Sequence, residues 1–164
     1  MGREAEGGWG CSGRADGTQA GGIGGKRGMA AAREELTAAA AKGAIQILDF
    51  VWFGGECSFK NVEVLENNPK VREAELLFAV GGGKATDTVK ALGEKTGKPV
   101  FAFPTIASNC SPCTSVSIMY NADGSFLKHW FFRKPPAHTF THLVIIFRAP
   151  TIYLLAGLGD TYVK

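Results

Sequence analysis

The sequence lacks any long apolar run. None of its 164 residues lies in an apolar stretch approaching the roughly 18 to 20 residues that a membrane-spanning helix needs. The N-terminus also has neither the basic segment nor the apolar segment of a secretory signal peptide. The sequence therefore predicts a cytoplasmic protein without a membrane partner.

Cysteine and clustered charge are also scarce. The four cysteines, at positions 11, 57, 110 and 113, are too few and too unevenly spaced for the disulfide framework of a small secreted domain, so we expect reduced thiols. The formal net charge is +3, and Lys and Arg are scattered along the chain. Because nucleic-acid binders concentrate basic residues on one face, no nucleic-acid partner is expected. The length suffices for one domain with a core and not for two full ones.

Glycine, by contrast, is concentrated at one end. Residues 1–30 hold half of the chain's 22 glycines, among scattered charges and without a helical or strand period. Such a composition predicts a disordered segment. A ligand-binding role for its "GGIGG" is disfavoured, because no apolar strand precedes it.

An alternation of strand and helix begins near residue 31. Alanine-rich helix 29–42 is closed by Gly43, and Ser58 caps a short helix that Pro69 halts. The predicted strands are "AIQILDFVWF", "ELLFAV" and "PVFAFP", with a helix over 84–96 between the last two. The continuous apolar run "ELLFAV" is typical of a strand buried on both faces. The pattern predicts a doubly wound, mostly parallel Rossmann-like α/β sheet over 31–150.

The pattern changes after Pro104. The polar loop "TIASNCSPCTS" precedes a predicted β-hairpin, with strands 116–120 and 126–132 joined by the turn "NADG". "THLVIIF" is predicted to be a further strand. A helix begins after Pro150 and is unfinished at Lys164, so residues 151–164 are expected to start a second domain that this chain does not contain.

Three consecutive glycines, Gly81, Gly82 and Gly83, join a buried strand to a helix. Glycine loses more conformational entropy on folding than other residues, so this run needs a reason. One reason is a phosphate site, because glycines let a ligand approach the free amides at a helix N-terminus. Lys84 would add a positive charge, and Asp87 could bond a ribose or an amide. The alternative is a tight turn without a ligand, since the spacing fits neither GxGxxG nor GxxxxGK[ST].

Five segments favour the phosphate site by their order and spacing: "VGGGKATDTVKAL", "GKPVFAFPTIASN", "VSIMYNADGSF", "RKPPAH" and "APTIYLLAGLGDTYVK". Together they resemble the glycerol dehydrogenase branch of the iron-containing alcohol dehydrogenase superfamily. The resemblance covers residues 32–164. "FGGECS" at positions 53–58 also fits the family's second strand and the loop after it.

The resemblance implies an enzyme with an N-terminal dinucleotide-binding domain and a C-terminal helical domain. It implies that NAD, with NADP left open, contacts the glycine loop and the loops beside it, at Gly81, Gly82, Gly83, Lys84, Asp87, Thr105, Ile106, Ala107, Ser108, Thr114, Val116 and Tyr120. It further implies that Asp160 is one ligand of a zinc or iron ion, whose two histidine ligands would lie beyond Lys164. The substrate would be a small alcohol or polyol, and full-length members are expected to be homo-oligomers.

Three departures from the family bear on activity. Cys110 stands near the substrate where glycerol dehydrogenases have an aspartate. Residues 1–30 replace the family's first strand and offer no counterpart to its acidic residue for the adenosine ribose, and the helical domain is absent. The chain is therefore expected to be inactive alone. The alternative function is a nucleotide-binding fragment or interaction module without activity.

The cysteines and the histidines suggest two other chemistries. Cys110 and Cys113 could form a thioredoxin-type redox pair, but the β-rich sequence that follows them disfavours this. His129 and His142 lie in strand-like runs typical of structural histidines, and only His138 remains as a candidate for a catalytic role.

Overall fold

The computed structural model describes residues 18–163, which form one parallel sheet, a separate hairpin and six helices. The strands are β1 (Thr18–Gly24), β2 (Ile45–Trp52), β3 (Leu76–Gly81), β4 (Val100–Pro104), β5 (Val116–Tyr120), β6 (Phe126–Phe131) and β7 (His138–Thr139). The helices are α1 (Lys26–Lys42), α2 (Phe59–Glu66), α3 (Pro69–Glu73), α4 (Gly83–Thr96), α5 (Leu143–Arg148) and α6 (Thr151–Val163).

The main sheet is parallel throughout, in the order β2-β1-β3-β4-β7. All six residues of β3 are buried, and their side chains alternate between two apolar clusters. Leu77 and Ala79 pack with α2, α3 and α4, whereas Phe78 packs with α1. Helices thus cover both faces, which confirms the predicted doubly wound α/β sheet.

Strand β1 corrects the prediction that residues 1–30 are disordered. Residues 18–24 form a strand between β2 and β3, and α1 begins at Lys26. Residues 1–17, the rest of that segment, lie outside the described residues. The glycines of β1 serve close packing: a Cβ on Gly22 would lie 2.7 Å from the Phe50 ring, and one on Gly24 would overlap the Val80 carbonyl oxygen. Composition indicated disorder because it cannot register packing between distant segments.

Helix boundaries follow the capping residues. Ser58 accepts a hydrogen bond from the Asn61 amide at the start of α2, as predicted. Gly97, in the left-handed region at φ 71°, ends α4. Pro69 does not simply halt a helix, because α2 has already ended at Glu66 and this proline opens α3, where its missing N–H costs no bond.

The hairpin β5-β6 is antiparallel, as predicted. The predicted strand "THLVIIF" is wrong, because its residues form helix α5 after His142. The sheet edge beside β4 is occupied instead by the two-residue strand β7. Only Ile145 of α5 is buried, so this apolar run does not have the two covered faces of an inner strand.

Within residues 18–163, no helix has the length and apolar character needed to cross a bilayer.

Candidate active site

The predicted glycine loop lies at the carboxyl end of β3, in the middle of the sheet. Gly81 has φ 148°, and Gly82 precedes α4 without any side chain capping the helix. The Thr86 amide donates to the Gly82 carbonyl oxygen at 3.0 Å, so the amides ahead of Thr86 in α4 have no carbonyl one turn back to bond. These amides make the helix start electropositive.

The loop after β4 packs directly on these glycines. The Thr105 amide donates to the Gly81 carbonyl oxygen at 3.2 Å. A Cβ on Gly82 would lie 2.6 Å from the Ile106 Cδ1 atom, and one on Gly83 would overlap the Asn109 side-chain amide. A side chain at position 82 or 83 would therefore displace the Ile106 or Asn109 side chain, whether or not a ligand binds.

Lys84 lies between an acid and an aromatic ring. Its Nζ atom is 2.6 Å from Glu56 Oε2 and 5.4 Å from the centre of the Tyr120 ring. Tyr120 is held in turn by its amide, which donates to the Cys57 carbonyl oxygen at 2.8 Å. The sequence did not single out Glu56 as a site residue, although its motif "FGGECS" was noticed.

Asp87 is buried, and it connects α4 to the chain between β4 and β5. Its Oδ1 atom accepts the Ser111 hydroxyl at 2.7 Å and lies 2.9 Å from Lys90 Nζ, and its Oδ2 atom accepts the Ile118 amide at 3.3 Å. Through these hydrogen bonds, the Asp87 carboxylate orients the segment from Ser111 to Ile118.

Lys90 was missed by sequence reasoning. It is 4% exposed, and its ammonium donates to the carbonyl oxygens of Ser111 at 2.9 Å, Thr114 at 3.2 Å and Val116 at 2.5 Å. Thr114 and Val116, predicted as cofactor contacts, are thus tied to α4 through their backbones. The signal was available in the spacing: Lys90 follows Asp87 by three residues, so both lie on the same face of α4.

A cleft of about 490 Å³ opens between the β4–β5 loop and α6. Ala107, Cys110 and Asp160 are among the residues that line it. Helix α6 approaches the loop so closely that a Cβ on Gly157 would overlap the Ala107 carbonyl oxygen and lie 3.4 Å from the Ser108 Cα atom. The structure therefore brings the predicted metal ligand and the predicted substrate-side residue to one cleft.

The three histidines have structural contacts. His142 caps α5, where its Nδ1 atom accepts the Ile145 amide at 3.4 Å. The prediction that His142 lies in a strand is therefore wrong. His138 packs edge-on against Phe101, with ring centres 4.8 Å apart. His129 lies on β6, beside the rings of Phe126 and Phe131.

No metal centre is complete within residues 18–163, where no group of three or more His, Cys, Asp and Glu side chains is placed to hold an ion. The cysteines of this region, Cys57, Cys110 and Cys113, are all thiols. Burial raises the pKa of the Cys57 thiol to about 12, whereas Cys110 and Cys113 are exposed on the loop.

Comparison with known proteins agrees with this architecture. The family model described as iron-containing alcohol dehydrogenase matches residues 20–146, which include β1, the glycine loop and the hairpin. The chain belongs to the iron-containing alcohol dehydrogenase family. The match begins inside the segment that composition had indicated as disordered.

Two curated relatives show how far the similarity extends. The glycerol dehydrogenase of Thermotoga maritima is 39% identical over 108 residues, which cover 66% of this chain and 29% of that protein. Hydroxycarboxylate dehydrogenase A of Escherichia coli is 39% identical over 141 residues, which cover 85% of this chain and 38% of that protein. The chain thus spans about a third of the length of these relatives.

Among solved structures, glycerol dehydrogenase from Schizosaccharomyces pombe superposes with a TM-score of 0.77 at 26% identity, covering 88% of this chain and 36% of that one. Membership of the family therefore rests on both sequence and fold.

Proposed function

We propose that this chain is the nucleotide-binding half of a metal-dependent alcohol or polyol dehydrogenase that transfers hydride from an alcohol to NAD. The observation that carries the proposal is the start of α4, which has no side-chain cap and lies at the carboxyl end of β3. In doubly wound sheets, dinucleotides bind at this edge, where the strand order reverses. Here the order reverses between β1 and β3.

The residues present fit a pyrophosphate. Two helices, α1 and α4, begin at this edge after Gly25 and Gly82, and neither start has a side-chain cap hydrogen bond. Their first-turn amides would hold the phosphate oxygens. Lys84 would add charge after exchanging its contact with Glu56, and the predicted cofactor contacts on the β4–β5 loop would orient the nicotinamide side.

No acidic residue directly follows strand β1. Strand β1 ends in Gly24, and Gly25, Lys26 and Arg27 follow it, the two basic residues being exposed. An acidic side chain that bonds the ribose hydroxyls also repels a 2′-phosphate, whereas basic side chains accept one. We therefore propose that this chain discriminates only weakly between NAD and NADP.

When bound, NAD supplies the hydride acceptor, and the chain's own residues supply its position. Lys90 and Asp87 fix the loop that lines the cleft, and that loop presents Cys110 to the substrate side. The family relatives named glycerol dehydrogenase and hydroxycarboxylate dehydrogenase point to a small hydroxylated substrate. Cys110 stands at the position where glycerol dehydrogenases have an aspartate. Without that carboxylate, glycerol is disfavoured as the substrate.

The described residues do not fit a complete zinc or iron site. A catalytic metal of this kind has about three protein ligands, and Asp160 supplies one carboxylate in the cleft. For the described residues by themselves, the alternative function is nucleotide binding without turnover.

Nucleotide binding is tested with Gly83→Val in a background that removes the steric conflict. Because a side chain at position 83 collides with Asn109, the comparison is between Asn109→Ala and Gly83→Val/Asn109→Ala. The branched side chain shields the first-turn amides of α4, so we expect the double variant to bind NAD at least about tenfold more weakly by calorimetry, a loss of about 1.4 kcal/mol.

Two controls accompany this titration. The two variants should unfold at similar temperatures, which separates binding from folding, and wild type should bind NADP within a few-fold of NAD. Equal NAD affinity in both variants, or no detectable binding by wild type, would contradict the proposal.

A further inference from the structure

Cys110 and Cys113 lie at the two ends of one tight turn. Residues 111–113 form a single 3₁₀ turn, and the Cys113 amide donates to the Cys110 carbonyl oxygen at 3.0 Å. Both cysteines are thiols and both are exposed. Cys110 also lines the cleft that contains Asp160.

The turn satisfies the main geometric requirement of a disulfide. A four-residue turn closed by this hydrogen bond keeps its end Cα atoms within about 7 Å. Disulfides join residues whose Cα atoms are about 4.4 to 6.8 Å apart. The Cα separation of Cys110 and Cys113 in this turn is therefore compatible with a disulfide.

Three contacts hold the backbone between the cysteines. The Ser111 hydroxyl donates to Asp87, and the Ser111 carbonyl oxygen accepts from the buried Lys90. The Thr139 hydroxyl donates to the Pro112 carbonyl oxygen at 2.7 Å, which fixes the turn to β7. These contacts hold the turn in place, and both of its cysteines are exposed.

We propose that Cys110 and Cys113 form a dithiol site that closes to an intramolecular disulfide by exchange with a low-molecular-weight disulfide. The site does not depend on nucleotide binding or on a metal. It also differs from a thioredoxin-type centre, because the turn leads into the hairpin β5-β6 and not into a long helix.

The exchange balances in two steps. The thiolate of one cysteine attacks a sulfur of the small disulfide, whose S–S bond breaks and releases one small thiol after proton uptake. The thiolate of the other cysteine then attacks the protein-side sulfur of the mixed disulfide, which releases the second small thiol. Two protein thiols are oxidised by two electrons, and one small disulfide is reduced to two thiols.

Closure would stiffen the loop that covers the glycines. The β4–β5 loop packs on Gly82 and Gly83 through Ile106 and Asn109 and lines the cleft at Cys110. A covalent link across its turn reduces the conformations available to residues 105–114. The redox state of these thiols would thereby set the mobility of the cleft wall.

The test uses glutathione disulfide on the full chain carrying Cys11→Ser, because Cys11 lies outside the described residues. By intact mass, we expect a loss of two hydrogens, with fewer than about a tenth of the chains retaining glutathione, because the second thiol acts at high effective concentration. Cys110→Ser and Cys113→Ser should each retain one glutathione at the remaining cysteine. Cys57 should stay unmodified in all three proteins, because burial and a pKa of about 12 keep it protonated.

Hydrogen exchange of the oxidised and reduced protein completes the test. Peptides covering residues 105–114 should exchange several-fold more slowly after oxidation and recover on reduction. Stable glutathione adducts on the Cys11→Ser protein, or identical exchange in the two redox states, would overturn the proposal.

Discussion

The ammonium group of Lys90 is buried among oxygens that come from four residues, namely Asp87, Ser111, Thr114 and Val116. A buried charge is tolerated only when its hydrogen bonds are satisfied, and this arrangement satisfies all three ammonium protons. Lys90 therefore holds the irregular loop between β4 and β5 in one conformation beside the glycines.

The first prediction concerns this group. Lys90→Met should lower the free energy of unfolding by about 3 kcal/mol, because it removes the charge partner of the buried Asp87 carboxylate and the ammonium donor to three carbonyl oxygens. Urea unfolding measures the change. Hydrogen exchange should accelerate in residues 105–118 before other regions.

Lys95→Met is the matched control on the same helix. Lys95 pairs with Glu66 on the surface, both side chains being partly exposed, so its loss should cost about 0 to 1 kcal/mol. Equal losses for the two variants would show that Lys90 does not hold the loop.

At the scale of elements, helix α6 packs against the β4–β5 loop through a glycine. Gly157 faces the Ala107 carbonyl oxygen at a distance that no Cβ permits, whereas nothing lies within 4 Å of a Cβ on Gly159. Two glycines of one helix thus have different roles. Only Gly157 sets the width of the cleft between Asp160 and Cys110.

This difference gives a paired prediction. Gly159→Ala should stabilise α6 by up to about 1 kcal/mol, because alanine favours the helix. Gly157→Ala gains the same helix propensity, but its Cβ atom would overlap the Ala107 carbonyl oxygen, so α6 must move away from the loop. Hydrogen exchange of residues 151–163 should therefore slow in Gly159→Ala and quicken in Gly157→Ala, and slowing in both would contradict the proposed contact.

At the scale of the whole molecule, the cleft has one wall from the α/β domain and one from α6. No described residue of α6 is buried, and its apolar side chains Ile152, Leu155 and Leu158 are all more than half exposed. The matched relatives are about three times as long as the region they share with this chain. We therefore expect turnover to need further chain that covers α6 and supplies metal ligands.

A chimera tests this expectation. The 164-residue chain alone should show no alcohol-dependent reduction of NAD with added zinc or iron, because Asp160 is not joined by other ligands within the described region. Fusion to the remaining downstream segment of the Thermotoga maritima glycerol dehydrogenase should produce activity. Asp160→Ala in the fusion should abolish it, since the metal loses one of its protein ligands.

Turnover by the unfused chain would refute the expectation and direct attention to Cys110 and His138 as ligands. An active fusion that is indifferent to Asp160→Ala would remove Asp160 from the metal site.

Local patterns predicted most of the fold. "ELLFAV" is recognisable as β3 because an inner parallel strand must be apolar on both faces. Ser58 and Gly97 marked helix ends, because caps satisfy backbone groups within a few residues of chain. These signals depend on neighbours in sequence, so they can be read without a structure.

Two elements could not be read in this way. Strand β1 is rich in glycine, and its stability comes from packing against Phe50 and the Val80 backbone, which are distant in sequence. The apolar run of α5 has the composition of a strand, but the edge position beside β4 is already taken by β7. Which segment pairs with β4 is a tertiary outcome that no local sequence period records.

The sequence by itself determined the family, the parallel α/β architecture and the place of the glycine loop, because each rests on residue types at fixed local spacings. Only the tertiary structure decided that Gly82 and Gly83 pack against Ile106 and Asn109, that Lys90 holds the loop, and that Asp160 and Cys110 share a cleft. Those facts depend on contacts between segments that are distant in sequence and meet only in the folded chain, so local sequence patterns do not specify them.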